Sequence, residues 1–155
     1  MTLIQELMNQ AAKGDLLNTQ TFKRFSPSEI REAIQSLVAA EQLELANALG
    51  DAGLSLHPNS EDMLAISGLL AMMNQNWSLA VELMDELMQA QGDNTPPFTL
   101  VMMVRALRCN LDPVRALAVA NKGLALYPGQ LELMAEKLAL DDFSNSMMPS
   151  SEVQH

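Results

Sequence analysis

The sequence predicts an all-α protein built from helical hairpins that follow one another along the chain. A motif of one alanine, a leucine eight residues later and a proline four residues after that recurs with two replacements; its three copies are Ala46, Leu54 and Pro58, then Ala80, Met88 and Gly92, then Ala116, Leu124 and Pro128. The copies are 34 and 36 residues apart, and a period near 34 is typical of stacked helical hairpins. Few aromatic residues, 4%, and 12 methionines also favour helix over strand.

Length and charge limit the class of protein. A chain of 155 residues with 48% hydrophobic residues predicts one folded domain. The formal net charge of −10 argues against nucleic acid and against anionic membranes as partners, since both attract basic surfaces. We expect another protein as the partner.

Compartment signals point to the cytoplasm. Cys109 is the only cysteine, so an intramolecular disulfide is excluded, which agrees with a reducing environment. The N-terminal sequence has no basic region followed by an apolar run, so no signal peptide is predicted. No apolar run approaches the roughly 18 residues of a membrane span, and no membrane insertion is expected.

Residues 1–25 are predicted to form an N-terminal helix and a linker. Thr2 and Gln5 have capping-box spacing at the start of a helix over 2–12. Its apolar stripe consists of Leu3, Ile4, Leu7, Met8 and Ala11. This stripe either covers the first hairpin or forms a homodimer contact, and the pattern does not decide between them.

The hairpins are predicted over 26–140. The first begins at Ser26 with a capping serine, a proline at the first helical position and Glu29 at the third. The second runs over 61–94, and the third over 97–130 after a two-residue insertion at Thr95-Pro96-Pro97. Residues 130–140 are predicted to close the last hairpin, and residues 141–155 to be a disordered tail.

These residues resemble tetratricopeptide repeats over 27–130. The resemblance rests on small residues where paired helices cross, on the terminal prolines and on Trp77 where the family usually has tyrosine. The departures are Ile34 and Val104 in place of glycine and Gly92 in place of proline. It implies a superhelix of three hairpins, flanked by an N-terminal helix and a C-terminal capping helix.

A narrower resemblance is to the small cytoplasmic chaperones that bind translocator proteins in type III secretion. They combine three such repeats with an N-terminal helical segment that often dimerises. The matching features here are the predicted helix 2–12, the three repeats and the stretch Pro96-Pro97-Phe98.

The family pattern also implies which side chains face the concave groove. The peptide-binding residues expected from it are Arg31, Gln35, Leu69, Met72, Met73, Phe98, Val101, Arg105 and Arg108. The apolar members would bury client side chains, and Arg105 and Arg108 would pair with a client carboxylate. The alternatives without a binding role are that the methionines belong to the core and that the arginines are solvated surface residues.

The first functional hypothesis is therefore an adaptor or chaperone that holds a peptide segment of a client protein in the groove. The alternative is a self-assembling scaffold, for example of a pilus or secretion apparatus, that acts through its end helices. No enzyme activity is expected, because Cys109 has no histidine near it in sequence and His57 precedes a turn proline. No cofactor is expected, and no metal, because the acidic cluster Glu82, Asp85 and Glu86 has no converging partner ligands.

Overall fold

All regular secondary structure in the described residues is helical. The structure is a computed structural model that describes residues 24–147, with side chains up to Asp142. Its helices are α1 (Pro27–Ala39), α2 (Leu43–Leu56), α3 (Glu61–Met73), α4 (Trp77–Gln91), a 3₁₀ turn (Gly92–Asn94), α5 (Pro97–Cys109), α6 (Pro113–Leu126) and α7 (Leu131–Met147). The predicted all-α class is confirmed. The helix predicted over 2–12 and residues 148–155 of the expected tail lie outside the described residues.

The chain divides into two compact units between Asn74 and Gln75. In the N-terminal unit, α1 packs against α2 and α3, and α2 packs against α3. In the C-terminal unit, α5 packs against α4, α6 and α7, and α6 packs against α7. The single repeat domain expected over 26–140 stays a prediction.

Local signals place the start of α1 where the sequence predicts it. The backbone N–H of Glu29 donates to Oγ of Ser26 at 3.2 Å, and the backbone N–H of Ser26 donates to Oε1 of Glu29 at 3.1 Å. This reciprocal pair satisfies two N–H groups that the first turn of a helix leaves without partners. The predicted capping box is confirmed.

Close approach of helices in the N-terminal unit depends on small residues. Ala46 is fully buried in the core of this unit, as the repeat pattern predicts. A Cβ at Gly53 would come 2.5 Å from Sδ of Met63 and 3.1 Å from Cγ2 of Ile30. Met63 and Ile30 are themselves fully buried, so a displaced side chain has to be accommodated within the packed core.

We expect Gly53→Val to lower the free energy of unfolding by about 2 kcal/mol, because overpacking a filled core forces side chains out of their preferred rotamers. The matched control is Gly129→Val, since a Cβ at Gly129 meets nothing within 4 Å. Urea unfolding followed by circular dichroism measures both. Equal midpoints for the two variants would contradict the packing argument.

The two units contain the same helix–turn–helix geometry at an offset of 70 residues. Gly53 has its counterpart in Gly123, where an added Cβ would come 2.8 Å from Cδ1 of Leu133. Glu41 and Leu111 both have φ of 60°, in the left-handed region, in the turn between paired helices. The offset is the sum of the two sequence periods, 34 and 36, so the repeat inferred from sequence is also a structural repeat.

The two-residue insertion divides between a helix and the connection that follows it. Helix α4 has 15 residues where α2 and α6 have 14. The connection after α4 spans 92–96, one residue more than the connection 57–60 after α2. Within the longer connection, the Thr95 hydroxyl donates to the Gly92 carbonyl at 2.6 Å, and the Tyr127 hydroxyl donates to the Thr95 carbonyl at 2.7 Å. The bond from Tyr127 joins this longer connection to the turn between α6 and α7.

The last helix is longer than the sequence interpretation allowed. Helix α7 continues to Met147, so residues 141–147, assigned above to a disordered tail, are helical. The stretch has no glycine or proline before Pro149, and polar residues alone do not end a helix. Within residues 24–147, no helix combines the length and the apolar character needed to cross a membrane.

Candidate peptide-binding surface

Arg31, the first of the predicted groove residues, forms an ion pair inside the N-terminal unit. Its Nη1 lies 3.0 Å from Oδ1 of Asp62, and the pair joins α1 to α3. Both side chains keep a third or more of their surface in solvent, so the pair is worth about 1 kcal/mol or less. Gln35, one turn further along α1, is exposed.

Arg105 and Arg108 meet one carboxylate of the closing helix. Nε of Arg105 lies 2.6 Å from Oε1 of Glu136, and Nη2 of Arg108 lies 3.1 Å from Oε2 of the same residue. The Glu136 side chain is only 8% exposed, and burial of an unpaired carboxylate would be unfavourable. Its negative charge is tolerated because both of its oxygens are paired with guanidinium groups. Glu132 adds a more distant contact, 3.6 Å from Nη2 of Arg105.

This geometry changes the interpretation of the two arginines. The sequence predicts that they pair with a client carboxylate, whereas in the structure Glu136 and Glu132 neutralise them. Their first role is to join α5 to α7, and a contact with a client carboxylate stays a prediction that has to compete with Glu136. Sequence reasoning missed Glu136. The signal was its spacing of 31 residues from Arg105, the same spacing that separates Arg31 from Asp62.

Val101 does not lie on the surface. It is 2% exposed on α5, so it contributes to packing and is not available to a client in this conformation. The family pattern assigns groove positions by number, whereas α5 packs against α4, α6 and α7 in this unit.

The remaining apolar residues differ in exposure. Leu69 packs against the core of the N-terminal unit, and Met72 is half-buried beside the exposed Met73. Phe98, at the second position of α5, keeps 50% of its surface in solvent. Of the predicted apolar contacts, Met73 and Phe98 are thus the two that present the most surface.

The C-terminal unit also has a surface depression that the sequence interpretation did not include. It has a volume of about 710 Å³ and is lined by Pro97, Leu126, Tyr127, Pro128, Gly129, Gln130, Leu131 and Glu132. Its wall is mostly apolar, with the Tyr127 ring held by the hydroxyl bond to Thr95. In the part of the chain from 24 to 147, no three His, Cys, Asp or Glu side chains are grouped to hold a metal ion.

Comparison with known proteins identifies the fold. No protein-family model and no curated protein sequence matches the chain. A structure of MamA (AMB-1, C2221) matches with a TM-score of 0.69 and 14% identity over 92% of this chain and 84% of that one. The MamA D159K mutant matches with a TM-score of 0.67 and 15% identity over 79% of this chain and 70% of that one.

A third structure bears directly on the repeat type. YrrB, described as a TPR protein with an unusual peptide-binding site, matches with a TM-score of 0.64 and 16% identity over 77% of this chain. The match covers 61% of YrrB, so the chain spans less than two thirds of that protein. At these identities the similarity shows the fold alone. The tetratricopeptide-like fold expected from the sequence is confirmed.

Proposed function

We propose that this protein is a protein-binding adaptor that holds a peptide segment of a client through apolar side chains on the first helices of its hairpins. Phe98 is the observation that carries the proposal. A phenylalanine that keeps half its surface in solvent at a groove position of the repeat pattern is an exposed aromatic anchor, and aromatic residues dominate binding energy at interfaces. The peptide-binding site named for YrrB supports the same use of the fold.

The contact residues follow from exposure. Phe98 in the C-terminal unit and Met72 and Met73 in the N-terminal unit present apolar surface, whereas Arg31 is already paired and Val101 is buried. The proposed contacts within each unit are therefore mainly apolar, and the methionine side chains of the N-terminal unit can adapt to different client residues. Leu69, Gln35, Arg105 and Arg108 remain as flanking contacts.

A secretion chaperone is the more specific form of this proposal. It is supported by the Pro96-Pro97-Phe98 stretch, which leads from the longer connection into α5. It places the protein in the cytoplasm, with a client awaiting export.

The alternative function, a self-assembling scaffold that acts through its end helices, is favoured by exposed apolar residues on α7. The net charge of −10 opposes association between copies. Light scattering of the full chain tests the alternative directly, since a monomer at every concentration removes it.

We expect Phe98→Asp to weaken peptide binding at least about ten-fold, because it replaces an apolar anchor by a hydrated charge. The probe is a labelled peptide selected from a phage-displayed library of random peptides panned against the full chain, and fluorescence anisotropy measures its affinity. Val114→Asp is the matched control, because Val114 is also the second residue of a helix that starts with proline and is 79% exposed.

The control is expected to bind within about two-fold of the parent, since single exposed apolar residues away from a binding site contribute little. Two outcomes contradict the proposed function. Panning yields no enriched peptide, or the selected peptide binds the Phe98→Asp variant as tightly as the parent.

A further inference from the structure

Helix α7 is apolar on two faces, and one of them has no partner among the described residues. Leu133 and Leu140 are buried on the packed face. Leu131, Met134 and Leu138 follow the spacing i, i+3 and i+7 on another face and are 75%, 44% and 65% exposed. A helix on a protein surface normally carries polar residues on its outer face, so this stripe is unusual.

The internal repeat indicates what such a face does. At the offset of 70 residues, Met134 corresponds to Leu64 of α3, and Leu138 corresponds to Gly68. Both α3 residues are buried. The third stripe residue, Leu131, corresponds to the exposed Glu61. Two of the three positions are therefore packing positions on the equivalent helix, and the outer stripe of α7 has the apolar character to pack against a helix.

The stripe is continuous with the depression described above. Leu131 belongs to the stripe and also lines the depression, together with the half-exposed Leu126. A bulky apolar side chain of a bound helix can enter the depression while the following turns lie along Met134 and Leu138.

Charge distinguishes among possible occupants. Asp141 follows Leu138 by three residues, so it extends the stripe at its C-terminal end, and it is exposed. A basic occupant is favoured at this end, and a second copy of this acidic chain is disfavoured.

We propose that the α7 stripe binds an amphipathic helix of another protein, with apolar residues at helical spacing and basic residues beside Asp141. This surface is additional to the proposed peptide contact at Phe98 and does not depend on it. Recognition of this kind, by apolar anchors at i, i+3/i+4 and i+7 on an exposed apolar face, is an established mode of helix binding.

The test uses the full chain and a labelled synthetic peptide of about 18 residues, made of leucine and lysine with the leucines on one helical face. Its controls are a scrambled peptide of the same composition and a leucine–glutamate peptide with the same stripe. We expect the leucine–lysine helix to bind at least about ten-fold more tightly than either control peptide. Leu138→Ser is expected to weaken it at least about five-fold, and Val114→Ser to leave it unchanged.

Four outcomes overturn the proposal, and a fifth supports it. Equal binding of the scrambled peptide shows attraction by charge alone, and equal binding to Leu138→Ser places the peptide elsewhere. A dimer that Leu138→Ser converts to a monomer in light scattering identifies a second copy as the occupant. Loss of binding of the leucine–lysine peptide in Phe98→Asp assigns this peptide to the surface of the proposed function. If Phe98→Asp still binds the leucine–lysine peptide but no longer binds the library-selected peptide, the two surfaces are separate.

Discussion

Replacing Val101 with glutamate is expected to lower the free energy of unfolding by about 4 kcal/mol or more, which is a large part of the stability of a domain of this size. Val101 is 2% exposed, and α5 packs against α4, α6 and α7 in the C-terminal unit. A carboxylate at this position loses its hydration, and Arg105, one turn further along α5, is already paired with Glu136; both facts disfavour the folded state of the variant. Urea unfolding followed by circular dichroism measures the loss.

Phe98→Glu is the control for this prediction, because it introduces the same charge three residues earlier on the same helix at a half-exposed position. Its expected cost is about 1 kcal/mol or less, since the glutamate stays hydrated and lies in the first turn, where a negative charge is favourable. Similar unfolding midpoints for the two variants would show that Val101 is accessible. The comparison also separates binding from folding, because a loss of peptide binding in Val101→Glu reflects unfolding.

The second large effect is expected for Glu136→Ala, which should destabilise the protein by about 2–3 kcal/mol. The change leaves two guanidinium groups, those of Arg105 and Arg108, without their shared carboxylate. Breaking a fully buried pair costs about 3–5 kcal/mol. The cost expected here is smaller, because both arginines keep about a third of their surface in solvent. Chemical unfolding of the full chain is the measurement.

Glu132→Ala is the matched control, since Glu132 is 63% exposed and lies 3.6 Å from Arg105. Its expected effect is within about 0.5 kcal/mol. A double-mutant cycle between Arg105 and Glu136 then measures their coupling. A cost for Glu136→Ala no greater than that for Glu132→Ala would refute the assignment of Glu136 as the residue that holds α5 to α7.

The positions of the helices depend on signals that act over a few residues, and these are readable from the sequence. The capping box at Ser26 and Glu29, the proline at the start of α5 and the buried alanines of the repeat are examples. Each of these features satisfies backbone groups or sets the distance between paired helices within one hairpin. Its effect therefore does not depend on the position of that hairpin in the fold. For this reason the all-α fold and its repeat period follow from the amino-acid sequence alone.

The exposure and the ion pairing of the candidate site residues depend on contacts between residues about 30 positions apart. The repeat period does not specify these contacts. The sequence alone determined the helical hairpins, their register and the presence of Arg105, Arg108, Val101 and Phe98 on one helix. Only the tertiary structure decided that Glu136 neutralises the arginines, that Val101 is buried and that Phe98 is exposed. The physical reason is that burial and ion pairing are properties of the packed neighbours of a side chain, whereas helix formation is mainly a property of its own segment.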